Sequence, residues 1–202
     1  YIHEPCYLMG IIAGHMSSEK KIGMVGGYPI GEVNRLFHAF MNGARSVDPS
    51  IEFKVTFIGS WYDPPKAKEA AIAQIEAGVD IMYAERAGVV DACREKGILA
   101  FGNVNDMNKE ENGTDVVVTS ALWHMESAIG HAIERVKAGT FRAEEYHHWT
   151  MMAKGGASLA PYYEFDSKIP ADVKSQVASL AADITAGKVT VKINDVEPKS
   201  TF

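Results

Sequence analysis

Short, continuous apolar runs alternate with amphipathic helical segments along most of the 202-residue chain. Five of these runs have the length of strands, and they cover residues 21–27, 53–58, 80–84, 98–102 and 116–120. Because helical segments follow four of the five runs, the sequence predicts βαβ crossovers and a parallel sheet. The runs lack polar alternation, which is typical of strands buried on both faces. The predicted fold is therefore α/β, with a doubly wound, Rossmann-like parallel sheet.

Capping residues mark several of the predicted helices. Asp63 stands before Pro64 at the start of a helix that ends at Gly78, a pattern typical of an N-cap, a first turn and a C-terminal glycine. Other helices are predicted over residues 8–16, 29–47, 89–96, 125–137 and 170–186. After Gly139 the regular alternation stops, and the apolar segment 189–193 is predicted as a final strand.

Composition excludes some classes of partner. The chain has 26 acidic and 20 basic residues, a net charge of −6, and no Lys/Arg-rich stripe, which argues against nucleic acid. No segment approaches the roughly 18 apolar residues of a membrane span. Cys6 and Cys93 lack metal-ligand or redox spacing, and both lie in apolar helical patterns, so we expect buried thiols.

The histidines do not form a catalytic pattern. His147 and His148 are adjacent, which places their rings on opposite sides of an extended chain, and no H-E-x-x-H or C-x-x-C accompanies them. His124 and His131 are predicted at a surface or interface. No nucleophile elbow or P-loop is present. The sequence thus predicts a protein that is not an enzyme and needs no metal or cofactor.

In an open parallel sheet, ligands bind outside the carboxyl ends of the strands, so residues that follow each strand are candidate contacts. These residues supply glycine backbone, aromatic faces, amides and a carboxylate, which suit a planar ligand rich in heteroatoms such as a nucleobase. The candidates are Gly26, Gly27, Tyr28, Trp61, Tyr62, Asn103, Asp106 and Trp123.

Each candidate also has an ordinary structural explanation. The glycine pair permits a tight turn and is not a G-x-G-x-x-G fingerprint. A single aromatic residue often covers a sheet edge, whereas two adjacent ones favour stacking. Asp63 is interpreted as an N-cap, and Glu85 with Arg86 as a surface ion pair. Asp106 is the best polar candidate, although turns are rich in Asn and Asp.

The chain resembles the basic membrane protein (BMP) family of ABC-transporter solute-binding lipoproteins. The matching segments are IGMVGG (22–27), PIGEVNR (29–35), GARSVDP (43–49), GSWYDP (59–64), residues 66–78 with Asp80, Thr119-Ser120 and VKAGTF (136–141). They occur in order and at the family's spacing over roughly residues 7–141, which makes their combination specific.

The resemblance implies a type I periplasmic-binding-protein fold, in which two Rossmann-like lobes clamp a solute. It implies that residues 1–124 form the C-terminal ligand-binding lobe and that 125–202 are crossover helices and strands returning to an N-terminal lobe. Most of that lobe is absent from this chain, which starts without Met, so we expect a longer protein. In the full-length protein, the family implies a lipobox cysteine and a lipid anchor at the periplasmic or cell surface.

The resemblance also implies a ligand and a partner, because its characterised members bind purine nucleosides or nucleobases and deliver them to a membrane permease. The glycine turn and Trp61-Tyr62 fall where the family contacts the base. Asp106 matches the second acidic position of the strand-four turn, and Val104 stands at the first. Trp123 replaces a lysine that helps hold the sugar. The expected ligand is therefore adenine, another purine base or a nucleoside, and the tryptophan favours a bare base or another flat molecule.

A second class of function uses the same fold. Type I lobes also serve transcription factors and receptors, so a ligand-sensing regulatory or receptor domain is the alternative hypothesis. A helix-turn-helix or a membrane-spanning helix elsewhere in the protein favours the sensor, whereas a lipobox favours transport.

Overall fold

The computed structural model describes residues 1–110 and 113–202. Five parallel strands are β1 (Lys21–Gly26), β2 (Glu52–Phe57), β3 (Ile81–Ala84), β4 (Leu99–Val104) and β5 (Val117–Trp123). A short strand, β6 (Ala157–Leu159), pairs antiparallel with β5. Within the described residues these six strands form one sheet in the order β2-β1-β3-β4-β5-β6. The α/β fold with a largely parallel sheet is confirmed.

Helices follow β1, β2, β3 and β5 as predicted, and a short helix after β4 was not predicted. The helices are α1 (His3–Met16), α2 (Gly31–Val47), α3 (Pro64–Glu76), α4 (Val89–Lys96), α5 (Met107–Glu110), α6 (Glu126–Lys137) and α7 (Ala171–Thr185). Asp63 caps α3, since its carboxylate accepts the Lys66 backbone N–H at 3.1 Å. Gly97 ends α4 in the left-handed region at φ +70°. Every helix in residues 1–110 and 113–202 is too short or too polar to span a bilayer.

Both faces of the sheet are covered by helices. On β3, the side chains of Ile81 and Tyr83 join a hydrophobic cluster with α1, α2 and α7. The alternate residues, Met82 and Ala84, join a second cluster with α3 and α4. Because successive side chains of a strand point to opposite faces, an apolar run such as β3 requires this double covering.

Helices α1 and α2 cross at two glycines. A Cβ atom at Gly10 would lie 2.1 Å from the Phe40 carbonyl oxygen, and one at Gly43 would lie 2.1 Å from the Tyr7 carbonyl oxygen. Both distances are far inside van der Waals contact, so only glycine allows the two backbones to pack this closely. The contact fixes α2, whose first turn borders the carboxyl edge of the sheet.

The prediction of a final strand at residues 189–193 is wrong. This segment buries Val191 and packs Val189 against the core, while Thr190 and Lys192 face solvent. It has the alternation of a strand but lies outside the sheet. The last strand is instead β6, which is too short for periodicity to reveal.

The final residues run along the outer edge of β2. The Phe53 N–H donates to Thr201 Oγ1 at 2.8 Å, and the Thr201 N–H donates back to the Phe53 carbonyl at 2.8 Å. The Val55 N–H donates to Ser200 Oγ at 2.9 Å. Backbone groups of an edge strand that would otherwise face solvent are thereby satisfied.

Candidate functional site

The strand order changes direction between β1 and β3. The chain leaves β1 toward the outer strand β2, whereas β3 continues toward β4 and β5. Ligands of open α/β sheets bind beside such a switch point, at the carboxyl ends of the strands. Here Gly27 follows β1 and Glu85 follows β3, and the Gly27 N–H donates to Glu85 Oε2 at 3.0 Å.

Buried Glu85 forms an ion pair with Arg86, whose side chain is 20% exposed. Glu85 is 4% exposed. Arg86 donates from Nε to Glu85 Oε2 at 2.9 Å and from Nη2 to Glu85 Oε1. Burial raises the pKa of Glu85, and Arg86 together with the Gly27 N–H acts in the opposite direction. The interpretation of this pair as a surface feature is wrong for Glu85, which is buried.

Arg86 also holds Trp61 in place. Its Nη1 donates to the Trp61 carbonyl oxygen at 2.6 Å, and its guanidinium carbon lies 5.3 Å from the centroid of the Trp61 ring. The Tyr28 ring packs on the same tryptophan, with centroids 5.0 Å apart and planes at 55°. A Cβ at Gly27 would lie 3.0 Å from Trp61 Cε3, so a larger residue at this position would push the Trp61 ring outward.

The tip of β4 carries a buried amide and a strained residue. Asn103 is 3% exposed, and its Oδ1 accepts a 2.8 Å hydrogen bond from the Tyr83 hydroxyl. Val104 has φ +68°, a conformation that is rare for a β-branched residue. Strain of this kind collects at ligand-binding sites because surrounding contacts must hold it.

The side chains at the strand tips line one cleft. A cavity of about 130 Å³ lies between Glu32, Val33, Leu36, Trp61, Glu85, Arg86, Asn103, Val104 and Trp123. An adjoining cavity of about 200 Å³ shares five of these residues and adds Tyr62, Ala87, Asn105 and Met107. On the other side, Glu32 and Trp123 also border a space of about 300 Å³ beside α6.

Three predicted residues, Trp61, Asn103 and Trp123, border this cleft, and Gly27 and Tyr28 pack against Trp61 without lining either cavity. Tyr62 borders the outer part of the cleft and is 80% exposed.

Two predicted residues lie elsewhere. A Cβ at Gly26 would lie 2.9 Å from Phe37 Cζ, so this glycine serves core packing. Asp106 borders neither the 130 Å³ nor the 200 Å³ cavity, and its Oδ2 accepts a 2.6 Å hydrogen bond from the Tyr163 hydroxyl.

Glu32, Glu85 and Arg86 are cleft residues that the sequence interpretation missed. The position of Glu85 and Arg86, directly after a fully apolar strand, could have revealed them. Burying a charged pair costs free energy, so such a pair at the end of a buried strand indicates a functional site. In the described part of the chain, no group of three or more His, Cys, Asp or Glu side chains could hold a metal ion. The cleft offers hydrogen bonds and stacking surfaces to a ligand.

Comparison with known proteins identifies relatives over most of the chain. Residues 2–161 match the family described as Bmp, ABC transporter substrate-binding protein PnrA-like. A purine-binding protein of Brucella abortus (strain 2308) is 32% identical over 192 residues, covering 93% of this chain and 52% of the relative. A Haloferax volcanii protein provisionally named an ABC transporter glucose-binding protein is also 32% identical over 192 residues, covering 94% and 47%. The chain spans about half the length of these curated relatives.

Solved structures confirm the predicted type I fold, which ABC transporter solute-binding proteins share with this chain. A transcriptional activator of the comK gene from Bacillus halodurans superposes with a TM-score of 0.77 at 23% identity, covering 94% of this chain and 65% of that chain. At this identity the likeness shows the fold alone. From its family match and its 32% identical relatives, the chain belongs to the PnrA-like family of ABC transporter substrate-binding proteins, which are not enzymes.

Proposed function

We propose that this chain is the ligand-binding lobe of an extracytoplasmic protein that delivers a purine-type base or nucleoside to an ABC permease. The observation that carries the proposal is the cleft at the switch point, where Trp61, Asn103 and Trp123 border one cavity. Membership in a family of ABC substrate-binding proteins supports the location and the permease as partner. The purine-binding relative supports the ligand class.

The aromatic residues of the cleft favour a flat ligand. Trp61 is 49% exposed although Tyr28 and Arg86 pack against it, so a large part of its surface is available for stacking. An aromatic pair contributes about 0.5–1.5 kcal/mol beyond the burial of apolar area. Polar groups such as the Asn103 amide then fix the orientation of a ligand held by stacking.

A second lobe would complete the cleft. On α6, Met125, Ile129, Ile133 and Val136 are 41%, 52%, 48% and 60% exposed, and their spacing puts them on one helix face. We propose that this stripe contacts the other lobe, with residues 1–124 as ligand-binding lobe and 125–202 as the segment that includes the crossovers. In that segment, β6 and α7 pack on the present lobe, whereas α6 carries the exposed apolar stripe. Hinge closure would then bury the solute between the lobes.

Lipid anchoring of the full-length protein is part of the proposal. The resemblance to solute-binding lipoproteins supports it. Mass spectrometry of the mature protein from a membrane fraction tests it, with a diacylglyceryl-modified N-terminal cysteine as the expected result. An unmodified terminus would contradict the anchor and leave solute binding untouched.

A sensor remains the second candidate, because a transcriptional activator shares the fold with a TM-score of 0.77. The two functions differ in their partner. A solute-binding protein stimulates ATP hydrolysis by its permease when loaded with ligand. A sensor changes DNA binding or signalling and leaves the permease unaffected. Reconstitution with the permease in vesicles separates the two.

Titration calorimetry of the purified full protein tests the ligand class. The panel contains adenine, hypoxanthine, their nucleosides adenosine and inosine, and glucose. We expect saturable binding of purines, with the free bases bound more tightly than the nucleosides because Trp123 stands where the family has its sugar-binding lysine. Binding of glucose with no purine bound would contradict the proposal.

Tryptophan variants connect binding to the cleft. Trp61→Ala should weaken purine binding about tenfold, the loss expected when one stacked pair and its buried area disappear. Trp149→Ala is the matched control, because Trp149 stacks on His131, with centroids 4.2 Å apart, and does not border the cleft cavities. Equal affinity of both variants would place the ligand outside this cleft.

A further inference from the structure

The cleft between the strand tips has more carboxylates than cations. Its 130 Å³ cavity is bordered by three charged side chains, Glu32, Glu85 and Arg86. Arg86 donates from Nε to Glu85 Oε2 at 2.9 Å and from Nη2 to Glu85 Oε1, and its Nη1 donates to the Trp61 carbonyl oxygen. Arg86 therefore neutralises Glu85, and the charge of Glu32 is left without compensation in this cavity.

Glu32 is exposed and has no ion-pair or hydrogen-bond partner for its side chain among residues 1–110 and 113–202. Its charge nevertheless acts inside the cleft. Burial is the main cause of the raised pKa of Glu85, and repulsion by Glu32 adds to it. A ligand that occupies the cavity beside Glu85 is therefore within reach of the same negative charge.

Glu32 also lies at the amino end of α2, a helix of 17 residues. The N-cap residue Ile30 gives this end no side-chain hydrogen bond, and the following residue of the first turn, Val33, borders the cavity. An uncapped helix start attracts anions through its free N–H groups and the helix dipole. Glu32 places a carboxylate where a phosphate group would otherwise be attracted.

The neighbouring 300 Å³ cavity, which Glu32 also borders, has its basic side chains engaged as well. Arg35 donates from Nε to Asp195 Oδ1 at 2.9 Å and from Nη2 to Asp195 Oδ2 at 3.3 Å. His147 Nδ1 lies 3.2 Å from Glu145 Oε1. Glu32 thus stands between two cavities in which every Arg and His side chain of the described chain already has an acidic partner.

We propose that Glu32 is a specificity-determining residue that makes the cleft select uncharged purine-type solutes and reject phosphorylated ones, an inference that rests on the proposed purine-binding function. A phosphate monoester carries about 1.5 to 2 negative charges at pH 7. Repulsion between net charges acts over several ångströms and needs no particular side-chain direction. A base or nucleoside escapes this repulsion, whereas a nucleotide does not.

Calorimetry of the full protein with adenosine and adenosine 5′-monophosphate tests the inference, because these ligands differ only in the phosphate. The wild-type protein should bind adenosine at least about fivefold more tightly, the order of magnitude of the repulsion between a phosphate and one exposed carboxylate a few ångströms away in water. Glu32→Gln keeps the shape of the side chain without its charge and should bring the ratio close to one.

Glu69→Gln is the matched control. It removes the same charge from an exposed position on α3, beside a cavity of about 340 Å³ that is separate from the cleft cavities. This variant should keep the wild-type ratio. Glu32→Asp keeps the charge at the original position, so it should also retain the preference for adenosine.

Salt distinguishes a charge effect from a structural one. A carboxylate in the first turn also stabilises its helix, so loss of Glu32 could disturb the cleft through α2. Such a disturbance would weaken both ligands alike, leave their ratio unchanged, and overturn the role proposed for Glu32. Charge repulsion instead requires the wild-type ratio to shrink in about 1 M sodium chloride, where screening is nearly complete, and that of Glu32→Gln to change little.

The outcomes separate this inference from the proposed function. Equal affinity of the wild-type protein for adenosine and its monophosphate would overturn the rejection of phosphate and leave purine binding intact. Absence of any purine binding would overturn both. If free bases bind and nucleosides do not, purine-6-carboxamide and purine-6-carboxylate replace the pair, since they share a shape and differ by one charge. Equal binding of these two would likewise overturn the inference.

Discussion

Gly27 and Glu85 join the carboxyl ends of β1 and β3 through one hydrogen bond of 3.0 Å between a backbone amide and a buried carboxylate. The same carboxylate binds Arg86, which in turn holds the Trp61 backbone. A single acidic side chain thus connects the glycine turn, the cation and the aromatic wall of the cleft. Its removal should affect the fold and the site together.

Glu85→Gln should lower the free energy of unfolding by about 1–3 kcal/mol, because Arg86 loses its charged partner in a buried setting. Ligand affinity should fall as well, since the Arg86 contact to Trp61 becomes less constrained. Urea denaturation and calorimetry measure the two effects. Glu95→Gln is the control, because Glu95 pairs with Lys68 at the exposed surface and its loss should cost less than about 1 kcal/mol. Equal losses in both variants would contradict the role of Glu85.

His3 should make the fold sensitive to acid. The side chain is 1% exposed, and burial is the main reason that its pKa falls from 6.5 to about 4. A lowered pKa in the folded state means that stability is fully present above pH 6.5 and is lost as pH falls toward 4. The loss should reach roughly 3 kcal/mol.

The variant His3→Leu isolates this effect, since leucine has no proton to gain. The difference between wild type and variant in free energy of unfolding should be constant above pH 6.5 and shift in favour of the variant below it. Chemical denaturation at several pH values provides the measurement. A difference that does not change with pH would show that His3 titrates alike in the folded and unfolded states.

Substitution by alanine at two helical glycines should change the stability of the protein in opposite directions. Gly10→Ala forces a methyl group into the Phe40 carbonyl of α2 and should destabilise the protein by about 3 kcal/mol or more. Gly130→Ala on α6 meets no atom within 4 Å and should stabilise it by about 0.5–1 kcal/mol, the gain in helix propensity. Thermal denaturation compares the pair. A stabilising Gly10→Ala would mean that α1 and α2 are farther apart.

Neither thiol should react in the native protein. Burial raises the pKa of Cys6 and that of Cys93 to about 12, and both cysteines are free and buried. Ellman's reagent should therefore modify no thiol in the native state and two in denaturant. Rapid modification of one thiol without denaturant would show that its helix opens locally.

The sequence predicted the sheet because its strands are buried on both faces, and that burial leaves a continuous apolar run in the chain. It predicted the start of α3 because Asp63 and Pro64 form a strong local signal. It did not reveal β6, a strand of three residues. Segment 189–193 has the sequence pattern of a strand, because burying Val189 and Val191 on one side of an extended chain requires the same apolar–polar alternation.

The aromatic part of the cleft could be predicted from position alone, since any residue after a strand faces the carboxyl edge. Its polar part depends on partners distant in sequence. Glu85 is held in the cleft by the Gly27 amide, and Asp106, which lines neither cavity, binds Tyr163, 57 residues later. Neither contact can be predicted from local sequence patterns.

The hydroxyls of Ser200 and Thr201 have a consequence for how copies of this lobe behave near one another. A parallel strand with free amides is a template on which another chain can add a strand. Here the row is already satisfied along Phe53 and Val55. Copies of the lobe at high local concentration should therefore have little tendency to exchange strands or to form fibrils through β2.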